Sequence, residues 1–445
     1  MRYILLTIAV TAWAQNLPKA PKSELHDLTA QAGYFTEPSI AVNPRDPQQV
    51  VAAFQDNAHI SFSRDGGKTW QAAAGIAPSN YRVSGDVSVT YDNHGQAILC
   101  YMAFDKLGRF NYWAHGAERS GLFVRRSPDG GATWEKNHIA VIEHRTEPNI
   151  PWEDKPYIVA DDTGGRFGGN LYIGWTRWTL TDSRIMFARS TDGGRTWSAP
   201  LEINAMRGLP RDDNGALEGF DGAVASDGTL YVVWCALGRL QFTYSRDGGK
   251  TFARARDIIQ TGPTMFALQA FSRANGFAQI AADRRAGKSG RLYVAWSDYT
   301  NGGVDVFCAS SVDGGKNWAA PVRVNNDPVN NGADHFFQWL AVDQATGAAN
   351  VMFYDRRGDP QNRQPTVVLA RSTDSGRTFV NYAWTSTPFD PARVFLGDYT
   401  GLAASSGRVY GAWTEKPNSN SRDTIVRVGI ADFNDAGEVQ SDHAQ

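Results

Sequence analysis

A short apolar run that closes on an aromatic residue recurs seven times: Val50–Phe54, Ala97–Tyr101, Leu171–Trp175, Leu230–Trp234, Leu292–Trp296, Ala349–Phe353 and Val409–Trp413. Runs this short and this rich in β-branched and aromatic residues read as buried strands rather than helices. Ahead of each lies another strand ending in a polar residue, at Asn43, Asp92, Asp161, Asp227, Asp283, Asp343 and Ser405. Behind each lies a third strand, which in six of the seven units runs into one eight-residue phrase. It is SRDGGKTW at Ser63–Trp70 and returns at Ser127–Trp134, Ser190–Trp197, Ser245–Phe252, Ser311–Trp318 and Ser372–Phe379. The phrase reads as a strand end, a tight turn and a new strand. Its Asp accepts backbone N–H groups across the turn, its Gly permits positive φ, and its Trp or Phe anchors the fourth strand in a core.

One unit repeated through all 445 residues argues for a single closed body. Seven second strands against six turn phrases leave the last unit (Gly401–Ser405, Val409–Trp413, Thr424–Ile430) one strand short. A β-propeller closes by letting one terminus complete the last blade, which removes the exposed sheet edge. The pattern therefore predicts an all-β fold, a single propeller of four-stranded antiparallel blades over residues 37–435. Seven blades are expected, with a segment around Leu25–Ala32, inside a 15–36 linker, as the missing outer strand; six is the alternative count. Residues 436–445 read as a tail.

Aromatics at 12% and charged residues at 20% suit such a core, and a formal net charge of −2 offers nothing to attract nucleic acid or an anionic membrane. Arg2, the apolar stretch Ile4–Trp13 and the small-x-small phrase Ala12-Trp13-Ala14 read as a secretory signal over residues 1–14. No later stretch is apolar enough to span a membrane. Cys100, Cys235 and Cys308 fall in apolar runs of different units and read as buried thiols. The histidines lack paired metal-ligand spacing, and the Gly runs are turns with no helix behind them, so neither metal nor cofactor is expected. A monomer is the expected state.

In a four-stranded antiparallel blade, the start of strand one and the end of strand two share one face of the disc, and the repeated turns share the other. The six turn aspartates are thus read as structural, since repeated residues serve repeated geometry. Six places before the polar residue that closes strand one stand Glu37, Asp86, Lys155, Asp221, Phe277, Phe337 and Tyr399; Asp154 and Asp398 each precede one of these. Two places after the strand-two aromatic stand Asp56, Ala103, Arg177, Ala236, Asp298, Asp355 and Glu415, with Arg356 and Arg357 next to Asp355. So many carboxylates around one funnel raise each other's pKa values and offer the acid and base that glycoside hydrolysis uses. The loop Asp105–Gly121 adds Phe110, Tyr112, Trp113 and His115 for stacking on sugar rings.

The eight-residue phrase resembles the Asp-box, or bacterial neuraminidase repeat, of sialidase-like β-propellers. Phe35-Thr36-Glu37-Pro38-Ser39 is similar to the opening phrase of sialidases, with Thr36 where the family carries an arginine. Tyr399-Thr400-Gly401-Leu402 and the later Glu415 resemble the family's nucleophilic Tyr phrase and its Glu partner. The resemblance implies a secreted, sialidase-like exo-glycosidase working on a glycan at the central funnel. Tyr399 would be nucleophile or base, tuned by Glu415 or Asp398, with Asp86 or Asp154 donating the leaving-group proton. Glu37, Asp221, Arg177, Asp298, Asp355, Arg356 and Trp113 would hold the substrate. Thr36 implies weak or no release of sialic acid. The alternatives are a non-catalytic propeller binding glycan or protein, and a polysaccharide lyase with His115, His144 or His335 as base.

Overall fold

The computed structural model describes residues 17–434 apart from 56, 74–80, 82, 107–116, 146, 148 and 286–289. The signal reading at 1–14, the tail at 436–445, Asp56, and Phe110, Tyr112, Trp113 and His115 lie outside the described residues.

Seven four-stranded antiparallel sheets stand in a ring. Their first strands are Thr36–Val42, Val83–Tyr91, Trp152–Ala160, Leu217–Val224, Gln279–Asp283, His335–Val342 and Gly401–Ser405. Each touches the first strand of the next blade, and the seventh touches that of the first, so these strands line the channel. The strands predicted from the aromatic-ended runs come second and are buried on both faces. Their closing residues Trp175, Trp234, Trp296 and Trp413 are fully buried. The cores lie between blades rather than within them. Ile98, Cys100 and Met102 of blade 2 pack on Ile158, Leu171 and Trp175 of blade 3; Val50 and Phe54 of blade 1 pack on Tyr410 and Val426 of blade 7. All three cysteines are buried and unpaired.

The seventh blade closes as expected. Glu24–Asp27 pairs antiparallel with Ile425–Asp432, from Glu24 opposite Ile430 to Asp27 opposite Arg427. The strand is shorter and earlier than the predicted segment, but the pairing extends past it: the Leu28 N–H donates to the Val426 carbonyl at 2.8 Å. One element was not foreseen. A hairpin, Met265–Leu268 and Phe271–Asn275, rises between blades 4 and 5 from what the sequence presents as a loop. No helix among the described residues is long and apolar enough to cross a membrane.

The six repeated turns share one bonding scheme. Asp192 Oδ1 accepts from the Thr196 N–H at 2.9 Å and from Ser190 Oγ at 2.8 Å, and its Oδ2 accepts from Thr196 Oγ1 at 2.7 Å. Ser190 Oγ in turn accepts from the Gly194 N–H at 2.9 Å. Against the cost of burial, the bonds from Thr196 and then Ser190 hold the Asp192 carboxyl down, to about 2. Asp192→Ala is expected to lose on the order of 1–2 kcal/mol of stability, read by denaturant titration, without altering the opposite face. A variant as stable as wild type would contradict the structural role.

Candidate active site

At the funnel end of the first strands the ladder slips. The register shifts between Thr36 and Ser39, Gly85 and Val87, Asp154 and Tyr157, Glu218 and Asp221, and Phe336 and Trp339. Within these bulges Glu37, Lys155, Gly219 and Phe337 take φ of +56°, +47°, +78° and +51°. A bulge re-aims side chains, and left-handed backbone in a non-glycine residue costs about 1–3 kcal/mol. Five blades carry this irregularity at one rim. Those of the first three blades border a cavity of about 360 Å³ lined by Glu37, Asp86, Asp154, Lys155, Arg273 and Asp398, with Tyr34, Phe104, Trp152 and Phe395 among its apolar walls.

The polar lining divides into two groups. In the first, Asp398 is gripped by two cations: Arg273 through Nε at 2.7 Å and Nη2 at 2.5 Å, and Lys155 through Nζ. Arg273 also reaches Asp212 at 2.5 Å. Against burial, Arg273 and then Lys155 hold the Asp398 carboxyl well below the usual carboxylate range. Lys155 stands 3.3 Å from Glu218 as well. Burial beside Asp212 nevertheless drives the Glu218 carboxyl well above its ordinary value. The closer ion pair is Lys155–Asp398. Both cations are engaged within the protein.

The second group is a chain of carboxyls, Glu37, Asp86 and Asp154, each within hydrogen-bond reach of the next. Burial and then the Glu37 charge push Asp86 up to about 8. Burial raises Glu37 to about 7, and burial and then Asp86 raise Asp154 to about 7. The outer members are anchored. Glu37 accepts from the Asp398 N–H at 3.0 Å and from Gln55 Nε2. Asp154 accepts from Trp178 Nε1 at 2.9 Å. Asp86 accepts from the Lys155 N–H at 3.1 Å. Near neutral pH this arrangement keeps a proton donor beside an acceptor that can recharge it.

Of the residues expected from sequence, Glu37, Asp86, Asp154 and Asp398 meet at this cavity. Tyr399 sits just below it, lining a narrower space of about 40 Å³ with Lys155, Phe277 and Trp339. Its hydroxyl donates to the Val87 carbonyl at 3.1 Å and receives the Val87 N–H at 3.0 Å. Burial, then Asp86 and Glu37, push that phenol well above its ordinary pKa, the reverse of nucleophile activation. Glu415 is not its partner: it takes Arg427 Nη1 on both oxygens at 2.9 and 3.0 Å and Trp413 Nε1 at 3.1 Å.

Arg177, Asp298, Asp355 and Arg356 are likewise not brought to the cavity. Arg177, Asp298 and Asp355 stand at the ends of second strands, one strand out from the channel, with Arg356 just beyond, and each is bonded within the protein. Arg177 donates to Glu153 at 2.8 Å, Asp298 accepts from Trp296 Nε1 at 2.8 Å, and Asp355 pairs with Arg357 at 2.6 Å. Arg356 is fully buried and donates to the Asn362 carbonyl at 3.0 Å. Asp221 corrects a register. In blade 4 the residue closing strand one is Ala225, whose N–H donates to the Thr229 carbonyl at 3.0 Å as the Asn43 N–H does to Gln49 at 2.9 Å. Asp227 is two residues too late, so Asp221 lies two residues down the strand, accepting from the Ile280 N–H at 2.7 Å.

Corrected alignment makes Glu218 the counterpart of Asp154 and Asp398, each seven residues before the residue that closes strand one, and this spacing is the signal that finds it. Arg273 and Asp212 carry no such signal, because the hairpin and the loop that supply them have no counterpart in other blades. His144 lies between Glu147 and Glu153 at 2.9 and 2.7 Å, and His335 is buried between Asp327 and Asp355 at 3.4 and 3.5 Å. Among the described residues, no histidine lines the cavity. Asp305, Asp327 and His335 form a buried grouping of metal-ligand type, but Arg323 stands 2.9 Å from Asp305 and 3.0 Å from Asp327. Its charge is balanced by the protein.

The BNR/Asp-box repeat model matches residues 61–72. A sialidase of Bacteroides fragilis is 26% identical over 216 residues, 41% of this chain and 39% of that protein. A xyloglucanase of a Paenibacillus species is 26% identical over 213 residues, 44% of this chain and 18% of that protein. The matched part of the chain thus spans less than half the length of either relative. Among solved structures, a polysaccharide lyase acting on ulvan superposes with a TM-score of 0.53 at 12% identity, covering 91% of this chain and 95% of the other. At such identity the likeness concerns the fold. By its repeat, its relatives and its seven blades, the chain is an Asp-box, sialidase-like β-propeller.

Proposed function

We propose that the protein is a glycan-active propeller that hydrolyses glycosidic bonds at its funnel. The observation that carries this reading is the carboxyl chain Glu37–Asp86–Asp154, poised near neutral pH beside a cavity of about 360 Å³. Both curated relatives are named for glycan-cleaving activities, which supports the substrate class. In this reading Asp86, kept protonated by burial and then by the charge of Glu37, gives its proton to the glycosidic oxygen as the bond breaks. As the leaving sugar departs, the Asp86 carboxylate takes a proton from the water that adds to the sugar carbon, and Glu37, steadied by donors on both oxygens, holds the negative charge that stabilises the cationic sugar. Asp154 shares the proton that returns to Asp86. Tyr399, fixed to the Val87 backbone, shapes the floor.

Sialic acid is a poor fit, because Lys155 and Arg273 are engaged by Asp398 and Asp212 and no cation among the described lining residues is left for a substrate carboxylate. The test is release of saturated reducing sugar from a panel of neutral and sialylated glycosides. A panel that yields nothing, or only unsaturated product, overturns the proposal. The pH profile of kcat/KM on the substrate found is expected to be bell-shaped. It rises as pH approaches 7, where Glu37 loses its proton, and falls above about 8, where Asp86 loses its own. The two apparent values belong to the carboxyl chain as a whole. A flat profile between pH 5 and 10 would exclude this pair.

A further inference from the structure

Above the carboxyl chain, one wall of the funnel is a braced stack. Asp212 and Asp398 hold Arg273 at 2.5 Å and 2.7 Å. The guanidinium carbon lies 5.9 Å from the centroid of Phe395. Phe395 stacks on Tyr34 with centroids 6.3 Å apart and planes 18° from parallel. The stack runs from a buried carboxylate outward, and Tyr34 at its tip is 54% exposed. On another part of the wall Phe104 and Trp152 are tucked in at 4% and 3% exposure. A large ring left half in water at a cavity mouth, and braced from behind by cation–π and ring stacking, is a prepared contact surface. Tyrosine holds such a surface at low entropic cost because it has only two side-chain torsions.

The rest of the lining says what the ring would meet. A sugar presents an apolar C–H face to an aromatic plane and hydroxyls at its edge. Partly protonated carboxyls can both donate to and accept from those hydroxyls. An acidic sugar would instead face Glu37, Asp86 and Asp154, with Lys155 and Arg273 already paired.

We infer that Tyr34 is the platform of a stacking subsite for an uncharged sugar ring, held in place by Phe395 and Arg273, and that the funnel selects neutral oligosaccharides over sialylated ones. This rests on the glycoside-hydrolase reading for where the bond is cut, but not for the binding itself.

Calorimetric titration in the Asp86→Asn background separates binding from turnover. Xyloglucan oligosaccharide and sialyllactose serve as the neutral and acidic probes. The neutral probe binds, Tyr34→Ala weakens it about tenfold, Tyr34→Phe holds it within about twofold, and sialyllactose binds at least about tenfold more weakly. With Asp86 intact, Tyr34→Ala raises KM by a similar factor and leaves kcat nearly unchanged. No binding of the neutral probe, equal affinity with and without the Tyr34 ring, or a preference for sialyllactose overturns the inference. Hydrolysis whose KM ignores Tyr34→Ala removes the platform alone. Tyr34-dependent binding in a protein that releases no sugar removes the hydrolase reading alone.

Discussion

Asp86→Asn is expected to lower turnover by about two to four orders of magnitude while leaving the fold intact. Asn is nearly the shape of a protonated Asp, and its oxygen still accepts the Lys155 N–H that Asp86 accepts at 3.1 Å. What it lacks is a proton to give. The same substitution carries a stability signature of definite sign. The Asp86 carboxyl is raised to about 8 in the folded protein, against roughly 3.9 in an unfolded chain. Between these values the folded state binds the proton that the unfolded state has released, so stability falls as pH rises through this window. Asn removes that dependence. The variant is therefore expected to unfold at a higher temperature than wild type at pH 9 and at a similar one near pH 4. Thermal melts at the two pH values, with kcat measured alongside, check both halves. Unchanged turnover would remove Asp86 from the chemistry. A variant less stable at pH 9 would show that burial does not set its pKa.

The second large effect is on stability alone. Lys155→Met is expected to cost about 3–5 kcal/mol, measured by urea titration, because it strips a buried carboxylate of a buried partner. Lys155 and Asp398 are 7% and 3% exposed, so water cannot take over the lost interaction. Methionine keeps the apolar stem of the side chain, one atom shorter, beside Phe277, whose ring centroid lies 5.5 Å from the ammonium. It also keeps the Cβ, so the strain of φ +47° is the same in both proteins and drops out of the difference. A loss below about 1 kcal/mol would mean that Arg273 alone satisfies Asp398.

The fold was legible because each blade must repeat the same burial. A strand covered on both faces and ending in Trp175, Trp234 or Trp296 leaves its mark in composition, and the turns at Asp65 or Asp192 leave theirs in spacing. The site was legible only where it shared that spacing. Asp154 and Asp398 were found as neighbours of aligned positions. Glu218 escaped because Asp227 resembles a strand-closing Asp while the true closing residue, Ala225, has no polar mark. Tyr399 and Glu415 were joined by likeness to a family phrase, but the Glu415 carboxylate faces Arg427. Arg273, which neutralises the centre of the funnel, comes from a hairpin that occurs once, and a residue outside every repeat has no register to betray it.

The seam between Glu24–Asp27 and Ile425–Asp432 bears on how the molecule is made. Its two halves lie about 400 residues apart, so at ordinary elongation rates of about 5–20 residues per second they emerge from the ribosome roughly 20–80 s apart. Throughout that interval the early strand has no mate, and blade 1 waits with one flank, Val50, Ala52 and Phe54, uncovered by blade 7. The ring therefore cannot close until Ile425–Asp432 has emerged. The nascent chain must pass through an open, edge-bearing arc of blades whose exposed flank is a binding surface for chaperones or for the same flank of another unfinished copy.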